Sequence, residues 1–400
     1  MRQDILTFIL FLSISTSVLL AVHIYVGRRL IRPANFRIRI KRLLWILIIV
    51  LPLFSPLSFV SRMILSEGWL TDIIGWIAYI EMGFFSLLFS FVLVRDIILG
   101  VNSIAGKIKK RTRPAFDPDR RRFLTNSVNL SMFGASLLFS GYGLYEARRR
   151  ASLEKVDIYI PDLPPAFEGY KIVQFSDLHV GPTIKRSFVT SVVDQIHHID
   201  ADMIVFTGDL VDGSVAGLQQ DVEPLKDLRA PDGIYFITGN HEYYSGAPAW
   251  IKHAEKLGFM PLIDEHNVIN KNGHRLVVAG VTDYSAKTFI PDHVSDPHKA
   301  IAGAPDTGVR ILLAHQPRNI FTAADAGFDL QLSGHTHGGQ YIPWSYLVTL
   351  TQPYVIGLHK HKNTWIYVNR GTGYWGPPLR LGVPSEVSLI TLRGKSRRII

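Results

Sequence analysis

Five short apolar runs in this chain each stop at Asp, Asn or His, and that pattern restricts the fold more than any other feature. In residues 203–213, MIVFTGDLVDG, a β-branched run breaks at Gly208 and delivers Asp209. Such a run reads as a buried strand whose C-terminal tip presents one carboxylate. KIVQFSDLH ends the same way at Asp177 and His179, GIYFITGNHE at Asn240 and His241, VRILLAHQP at His315, and DLQLSGHTHGG at His335 and His337. Packing alone gives no reason for polar residues to recur there, whereas ligands gather at strand tips in open α/β sheets. The expectation is a metal centre around Asp209. Gly208 and Gly239 suit the tight turns and close backbone approach that the tips need. Carboxylate, amide and imidazole are donors that Mn, Fe or Zn accept. The chain has no cysteine, so disulfides and thiolate ligands are excluded and the compartment stays open.

The first third, residues 1–150, reads as an all-α membrane region of about four transmembrane helices. Residues 5–26 are almost wholly apolar over about the length that crosses a bilayer, roughly 20 residues. Further spans are expected near residues 43–60, which contain Pro52 and Pro56, near 73–98, which contain Glu81, and near 123–145, which are Gly/Ser-rich. The second and fourth also fit buried core helices. Glu81 is either functional or a carboxylate turned to the bundle interior. Basic tracts lie between the first two spans (residues 28–42) and between the last two (Lys107, Lys109, Lys110, Arg111, Arg113, Arg120, Arg121, Arg122). The positive-inside rule makes both tracts cytoplasmic. Four crossings of a cell inner membrane then leave the C-terminal domain extracytoplasmic. Arg148, Arg149, Arg150 and Lys155 argue against that orientation. RRRFL at residues 120–124 is similar to a twin-arginine export signal or is an ordinary juxtamembrane cluster.

Charge separates the two parts. Residues 1–155 hold 22 Lys and Arg against 9 Asp and Glu, and residues 156–400 hold 21 against 24, so the domain with the motifs carries −3 of the total +10. A footprint on phosphate backbones needs a clustered basic face, so no nucleic-acid partner is expected.

From residue 156 to 400 the chain reads as an α/β domain. Residues 158–167 read as an edge strand and lead-in turn. Strands follow at 171–176, 203–207, 234–238, 275–280, 309–314, 330–333, 365–369 and 386–392, with helices near 186–198, 222–228, 248–257 and 319–326. Alternation of the two implies parallel pairing with right-handed crossovers.

Taken together, Asp177-x-His179, Gly208-Asp209, Gly239-Asn240-His241-Glu242, His315 and Gly334-His335-x-His337 resemble the calcineurin-like metallophosphoesterases, whose pattern is D-x-H, G-D, G-N-H-[DE], H, G-H-x-H. The resemblance spans residues 170–392 and is strongest to the membrane-attached bacterial subgroup, to which GNHEYYSG, SGHTHGGQ and WGPPLRLGVPSE are similar. It implies a four-layer α/β/β/α sandwich with two divalent metal ions (Mn, Fe or Zn). On this resemblance Asp177, His179 and His337 hold one ion, Asn240, His315 and His335 the other, and Asp209 bridges them. A close metal pair can deprotonate a bridging water, whose hydroxide attacks the phosphoryl group in line. His241 is left to stabilise charge or protonate the leaving oxygen.

The resulting expectation is a membrane-anchored phosphoesterase acting on a phosphodiester or pyrophosphate bond, with a lipid or envelope metabolite as substrate. Hydrolysis of UDP-diacylglucosamine is one activity among similar proteins; others are phosphomonoesterases or protein phosphatases, and fold alone does not choose. A catalytically silent membrane scaffold and a transporter are the readings from other classes. Glu242 either orients a neighbour or only favours its helix start. Tyr243, Tyr244, Trp375 and Arg380 line a groove or belong to satellite core. His359 and His361 read as solvated loop histidines, His197 and His198 as a helix end, and Asp212 as turn chemistry.

Overall fold

The computed structural model describes residues 2–65, 67–109, 117–306 and 308–394. Lys110, Arg111 and Arg113 of the second basic tract lie outside the described residues. The chain divides into a helical unit, Met1–Leu144 with Gly376–Pro378, and an α/β unit, Tyr145–Trp375 with Leu379–Ile400.

In the helical unit three helical stretches are long and apolar enough to cross a membrane, namely Leu6–Leu30, Ile38–Ile64 and Trp69–Ile108. The second is interrupted at Leu51–Leu53, where Pro52 removes a backbone donor and the helix tightens to a 3-10 turn. Residues 123–145 lie in the helix Pro118–Arg148 but are not among the candidate spans. Three of the expected spans thus coincide with candidates among the described residues, while the helix expected to make the fourth is diluted by the Asn, Ser and Gly of NSVNLSMFGAS, groups that are costly in hydrocarbon. Several ionisable groups on these helices are paired. His23 Nε2 meets Glu81 Oε1 at 2.7 Å with both side chains buried, so Glu81 faces the interior. Asp96 accepts from Tyr25 Oη at 2.6 Å and pairs with Arg29 at 2.6 Å.

The α/β unit contains twelve strands: β1 (Ser152–Ile160), β2 (Lys171–Phe175), β3 (Met203–Phe206), β4 (Ile234–Phe236), β5 (Met260–Pro261), β6 (Glu265–Lys271), β7 (His274–Gly280), β8 (Val309–Leu313), β9 (Leu330–Ser333), β10 (Gly357–His361), β11 (Thr364–Val368) and β12 (Glu386–Gly394). They form two six-stranded sheets, β1-β12-β2-β3-β4-β5 and β10-β11-β9-β8-β7-β6. Pairing from β2 through β5 is parallel, and so is pairing from β7 through β9 to β11. The antiparallel pairs are β12 with β2, β6 with β7 and β10 with β11.

Period-two alternation explains why the central strands are apolar throughout: both faces are covered. In β3, Ile204 and Phe206 pack with Val189, Val192 and Ile196 of the helix Arg186–His197 and with Trp250 of the helix Ala247–Lys256. Met203 and Val205 turn the other way, into a cluster with Val278 of β7, Ile311 and Leu313 of β8 and Leu332 of β9. The outer face of the second sheet, through Ala279 and Leu312, packs on Ala300 and Ala323 of two short helices. The layers are therefore helix, sheet, sheet, helix, as the sequence implied.

The strands absent from the sequence reading, β5, β6 and β10, all stand at sheet edges. In β6, EHNVINK, only Ile269 is buried, so no apolar periodicity exists to be read. The helix expected at 222–228 instead runs Val215–Val222, capped by the Ser214 hydroxyl accepting from Gly217 N, and Pro224 tightens the next residues, Glu223–Asp227, into a 3-10 segment.

Leu332 is fully buried between the sheets. Leu332→Ala is expected to cost about 2–5 kcal/mol, read as a lower urea midpoint of the detergent-solubilised chain, while Lys252→Ala on the exposed face of a helix moves it by no more than about 0.5 kcal/mol.

Candidate metal centre

The tips of β2, β3 and β4 in one sheet and of β8 and β9 in the other carry all the candidate ligands. The loops after β2 and β3 continue side by side: Asp177 N donates to Gly208 O at 2.9 Å, His179 N to Asp209 O at 3.2 Å and Asp212 N to Val180 O at 2.8 Å. The Asp177 carboxylate accepts from His335 N at 3.0 Å, tying the first sheet's tip to the second's.

Among the described residues three donor groups result, of which His179, Asp212 and His241 form one and the candidate ligands form the other two. Asp177, His179 and His337 form one: His179 Nε2 and His337 Nε2 face each other at 3.0 Å, and His337 Nε2 lies 3.4 Å from Asp177 Oδ1. Asp209, His315 and His335 form the other: His315 Nε2 is 3.1 Å from Asp209 Oδ2 and 3.3 Å from His335 Nδ1. Asp209 Oδ2 also stands 3.7 Å from His179 Nε2, so one carboxylate touches both groups. Asn240 is buried nearby with an Oδ1 that has no hydrogen-bond partner.

These residues fit a divalent metal ion. Two ligands held about 2.1 Å from one ion stand about 3 Å apart across a right-angled edge, the separation seen between the facing imidazole nitrogens. Neutral imidazoles are the metal-binding form; His335 and His337 favour it, whereas at His315 burial opposes the cation but Asp209 and Asp177 outweigh it and raise the imidazole, whose proton an ion would displace. Burial, with the neighbouring His315 cation adding to it, drives His335 down to about 3, and burial beside His179 holds His337 well below the usual range. Burial opposes ionisation of Asp209, but the His315 and His241 charges outweigh it and keep the carboxyl well below the ordinary range. His315 Nδ1 lies 2.7 Å from Thr207 O; donation to that carbonyl turns Nε2 toward Asp209, the outer-shell orientation typical of ligating histidines.

The backbone shows how tightly the tips are held. Of the eleven non-glycine residues with positive φ among the described residues, five are Asp177, His179, Asp209, His335 and His337. Asp and His tolerate this region better than most side chains, yet each such residue has to be held there by its surroundings. At Gly208, φ is +94° and a Cβ would meet His315 Nδ1 at 2.6 Å.

Asp212 is the residue that sequence reasoning misjudged. Far from simple turn chemistry, its Oδ1 lies 2.5 Å from His241 Nδ1 and 3.4 Å from His179 Nδ1. The available signal was its position three residues after Asp209, which matters only because Val211 pairs with Val180 and carries Asp212 across to the other loop. Glu242 accepts from Asp209 N at 3.0 Å and Leu210 N at 2.7 Å, so it orients the β3 tip. Arg380 is fully buried and donates to His337 O at 3.1 Å, with Nη2 3.2 Å from His337 Nδ1. Tyr244 and Trp375 are exposed, and their rings stand 5.2 and 5.8 Å from that of His241. Tyr243 is buried beside His293. His359 and His361 lie on β10 and join none of the donor groups.

The family model for calcineurin-like phosphoesterases matches residues 170–339. An uncharacterized metallophosphoesterase of Helicobacter pylori is 36% identical over 284 residues, covering 70% of this chain and 75% of that protein. A transmembrane protein with metallophosphoesterase domain from Danio rerio is 33% identical over 304 residues, 74% of this chain and 69% of the relative. An uncharacterized metallophosphoesterase of Campylobacter jejuni is 28% identical over 93% of this chain and 95% of its own length.

Asp212→Asn keeps the size of the side chain but weakens its hold on His179 and His241. It is expected to lower metal affinity or turnover by about 10–100-fold, measured by metal content after dialysis and by steady-state assay, with the melting temperature little changed. Gly208→Ala is expected to lower bound metal as well, because its Cβ displaces His315.

Proposed function

This chain belongs to the calcineurin-like metallophosphoesterases, and from that premise we propose a membrane-anchored enzyme that uses two divalent ions to hydrolyse a phosphodiester or pyrophosphate bond of a lipid or envelope metabolite. It is a metal-dependent phosphoric ester hydrolase by family. The observation that supports the two-ion reading is that Asp209, a member of one donor group, stands 3.7 Å from His179 of the other. Asp177, His179 and His337 would hold one ion, Asn240, His315 and His335 the other, with Asp209 between them. Such a pair supplies Lewis acidity to the phosphoryl group and lowers the barrier to in-line attack by water.

The chain's own residues complete the site. Burial disfavours the His241 cation, but Asp209 and Asp212 outweigh it and raise the imidazole to about 9. Asp212 engages Nδ1 and favours the protonated ring, which leaves Nε2 as the nitrogen that would present a proton to the leaving oxygen. Asp212 positions that ring. A silent scaffold has no need of a complete ligand set, and none of the seven candidate ligands is missing here.

Membrane anchoring is supported by the three apolar helices and by the transmembrane relative. The multi-pass inner-membrane topology with the catalytic domain outside requires the helix Pro118–Arg148 to make a fourth crossing. A periplasm-active phosphatase reporter fused after Tyr145 is then active, and a reporter that needs the cytoplasm is silent.

With Mn the purified chain is expected to hydrolyse bis-p-nitrophenyl phosphate. A chelator should abolish the activity and added Mn restore it. Asp209→Asn removes the shared ligand, and His241→Ala lowers kcat by about 10²–10⁴-fold while metal content is retained. No turnover with any of Mn, Fe or Zn, or unchanged activity in Asp209→Asn, would sink the reading.

A further inference from the structure

We infer that residues 342–356 form a lipid-docking surface that holds the metal centre against an anionic bilayer, an inference that rests on the membrane-anchored reading above. The segment comes directly after the GHTHGGQ turn and its ends are pinned beside the candidate ligands. At its start Gln340 Nε2 donates to Trp375 O at 3.0 Å, and at its end Val355 O accepts from Thr336 Oγ1, between His335 and His337, at 2.6 Å. Arg318 Nη2 donates to Thr351 O at 2.6 Å between these ends.

Between the pins the segment turns its apolar side chains to the outside. Leu350 is 80% exposed, Tyr346 68% and Leu347 53%, with Ile342 and Ile356 also exposed. Five large exposed apolar residues within one short segment are unusual for a surface that meets only water.

Charge identifies the occupant. From residue 330 to residue 385, the 56 positions between Asp329 and Glu386, the chain contains no Asp or Glu, although residues 156–400 hold 24 of them. The same stretch carries Lys360, exposed over the Trp365 ring, Lys362, paired with Asp325 from outside the stretch, and the more buried Arg370 and Arg380. Exposed aromatic and aliphatic side chains in a stretch whose own charges are all positive are the composition of an interfacial segment. The only helix in it, Ser345–Val348, is far too short to cross a bilayer, so the segment lies on the surface rather than through it. Three helices among the described residues of the same chain are apolar enough to insert, so on the anchored reading the chain is held at a membrane. The consequence for the proposed chemistry is that the phosphoester is met at the headgroup level, while its lipid part remains in the membrane.

Because the chain has no cysteine, a single introduced thiol can be labelled uniquely. Leu350→Cys and Leu347→Cys in the full chain, labelled with a polarity-sensitive fluorophore and reconstituted in phosphatidylethanolamine/phosphatidylglycerol vesicles, are compared with Ile14→Cys in the first apolar helix and Lys252→Cys on an exposed helix face. The expected result is a blue-shifted emission at both segment positions. Quenching there should be stronger by lipids spin-labelled about 5–10 Å below the headgroups than by lipids labelled near the chain ends, with Lys252→Cys unaffected. If Ile14→Cys is quenched while Leu350→Cys and Leu347→Cys behave like Lys252→Cys, the docking surface is overturned and the anchored reading stands. If Ile14→Cys is also unquenched, anchoring fails and the docking inference fails with it.

Discussion

Asp209 is a carboxylate with 2% of its surface exposed, sealed at the end of an apolar strand, and the structure around it answers the cost of burying that charge. An ionised carboxylate taken out of water without partners costs several kcal/mol or more. Here the partners come from every side: His315 at 3.1 Å, the His241 backbone N–H at 2.9 Å, and His179 at 3.7 Å. Those partners sit at the tips of β2, β4 and β8, so the charge can be stabilised only if both sheets end at the same place. The parallel pairing and the sandwich stacking are what bring them there.

The same requirement explains the irregular backbone at the tips. A strand that simply continued would carry Asp177 and His179 past each other's faces; a residue with positive φ reverses the chain sharply enough to bring both side chains back. His335 and His337 do the same across the second sheet. The local strain, on the order of 1–3 kcal/mol per residue, is held by the side-by-side loops and by the Asp177 carboxylate accepting from His335 N. Gly208 has φ of +94° and sits where a Cβ would touch His315. Asp212 and Glu242 add a second layer, each a carboxylate that orients a neighbour of Asp209.

The helical unit has a different surface. It exposes Leu, Ile and Phe side chains as a helix facing hydrocarbon does, and within it His23 pairs with Glu81 and Asp96 with Arg29. The helix Pro118–Arg148 departs from this rule, carrying Asn and Ser where the other three carry Leu and Ile. That difference of composition is why this helix is not among the candidate spans.

The central strands and the polar residues at their tips were legible in the sequence alone, because buried parallel strands are continuous apolar runs and each run stops at a polar tip; the choice of seven candidate ligands among those residues came from the family resemblance. The sequence also determined the three strongly apolar helices, whose length and hydropathy are local properties. The tertiary structure alone decided what depends on neighbours distant in the chain. The edge strands β5, β6 and β10 are strands because a partner supplies their hydrogen bonds, not because their residues alternate. Asp212 left its apparent turn role because the loop after β2 runs beside the loop after β3, and Glu242 gained one because its carboxylate reaches the β3 tip. Glu81 could be read as functional or structural until His23 was found opposite it. A side chain's type is written in the sequence; the partner it meets is fixed only when the sheets stack and the helices pack.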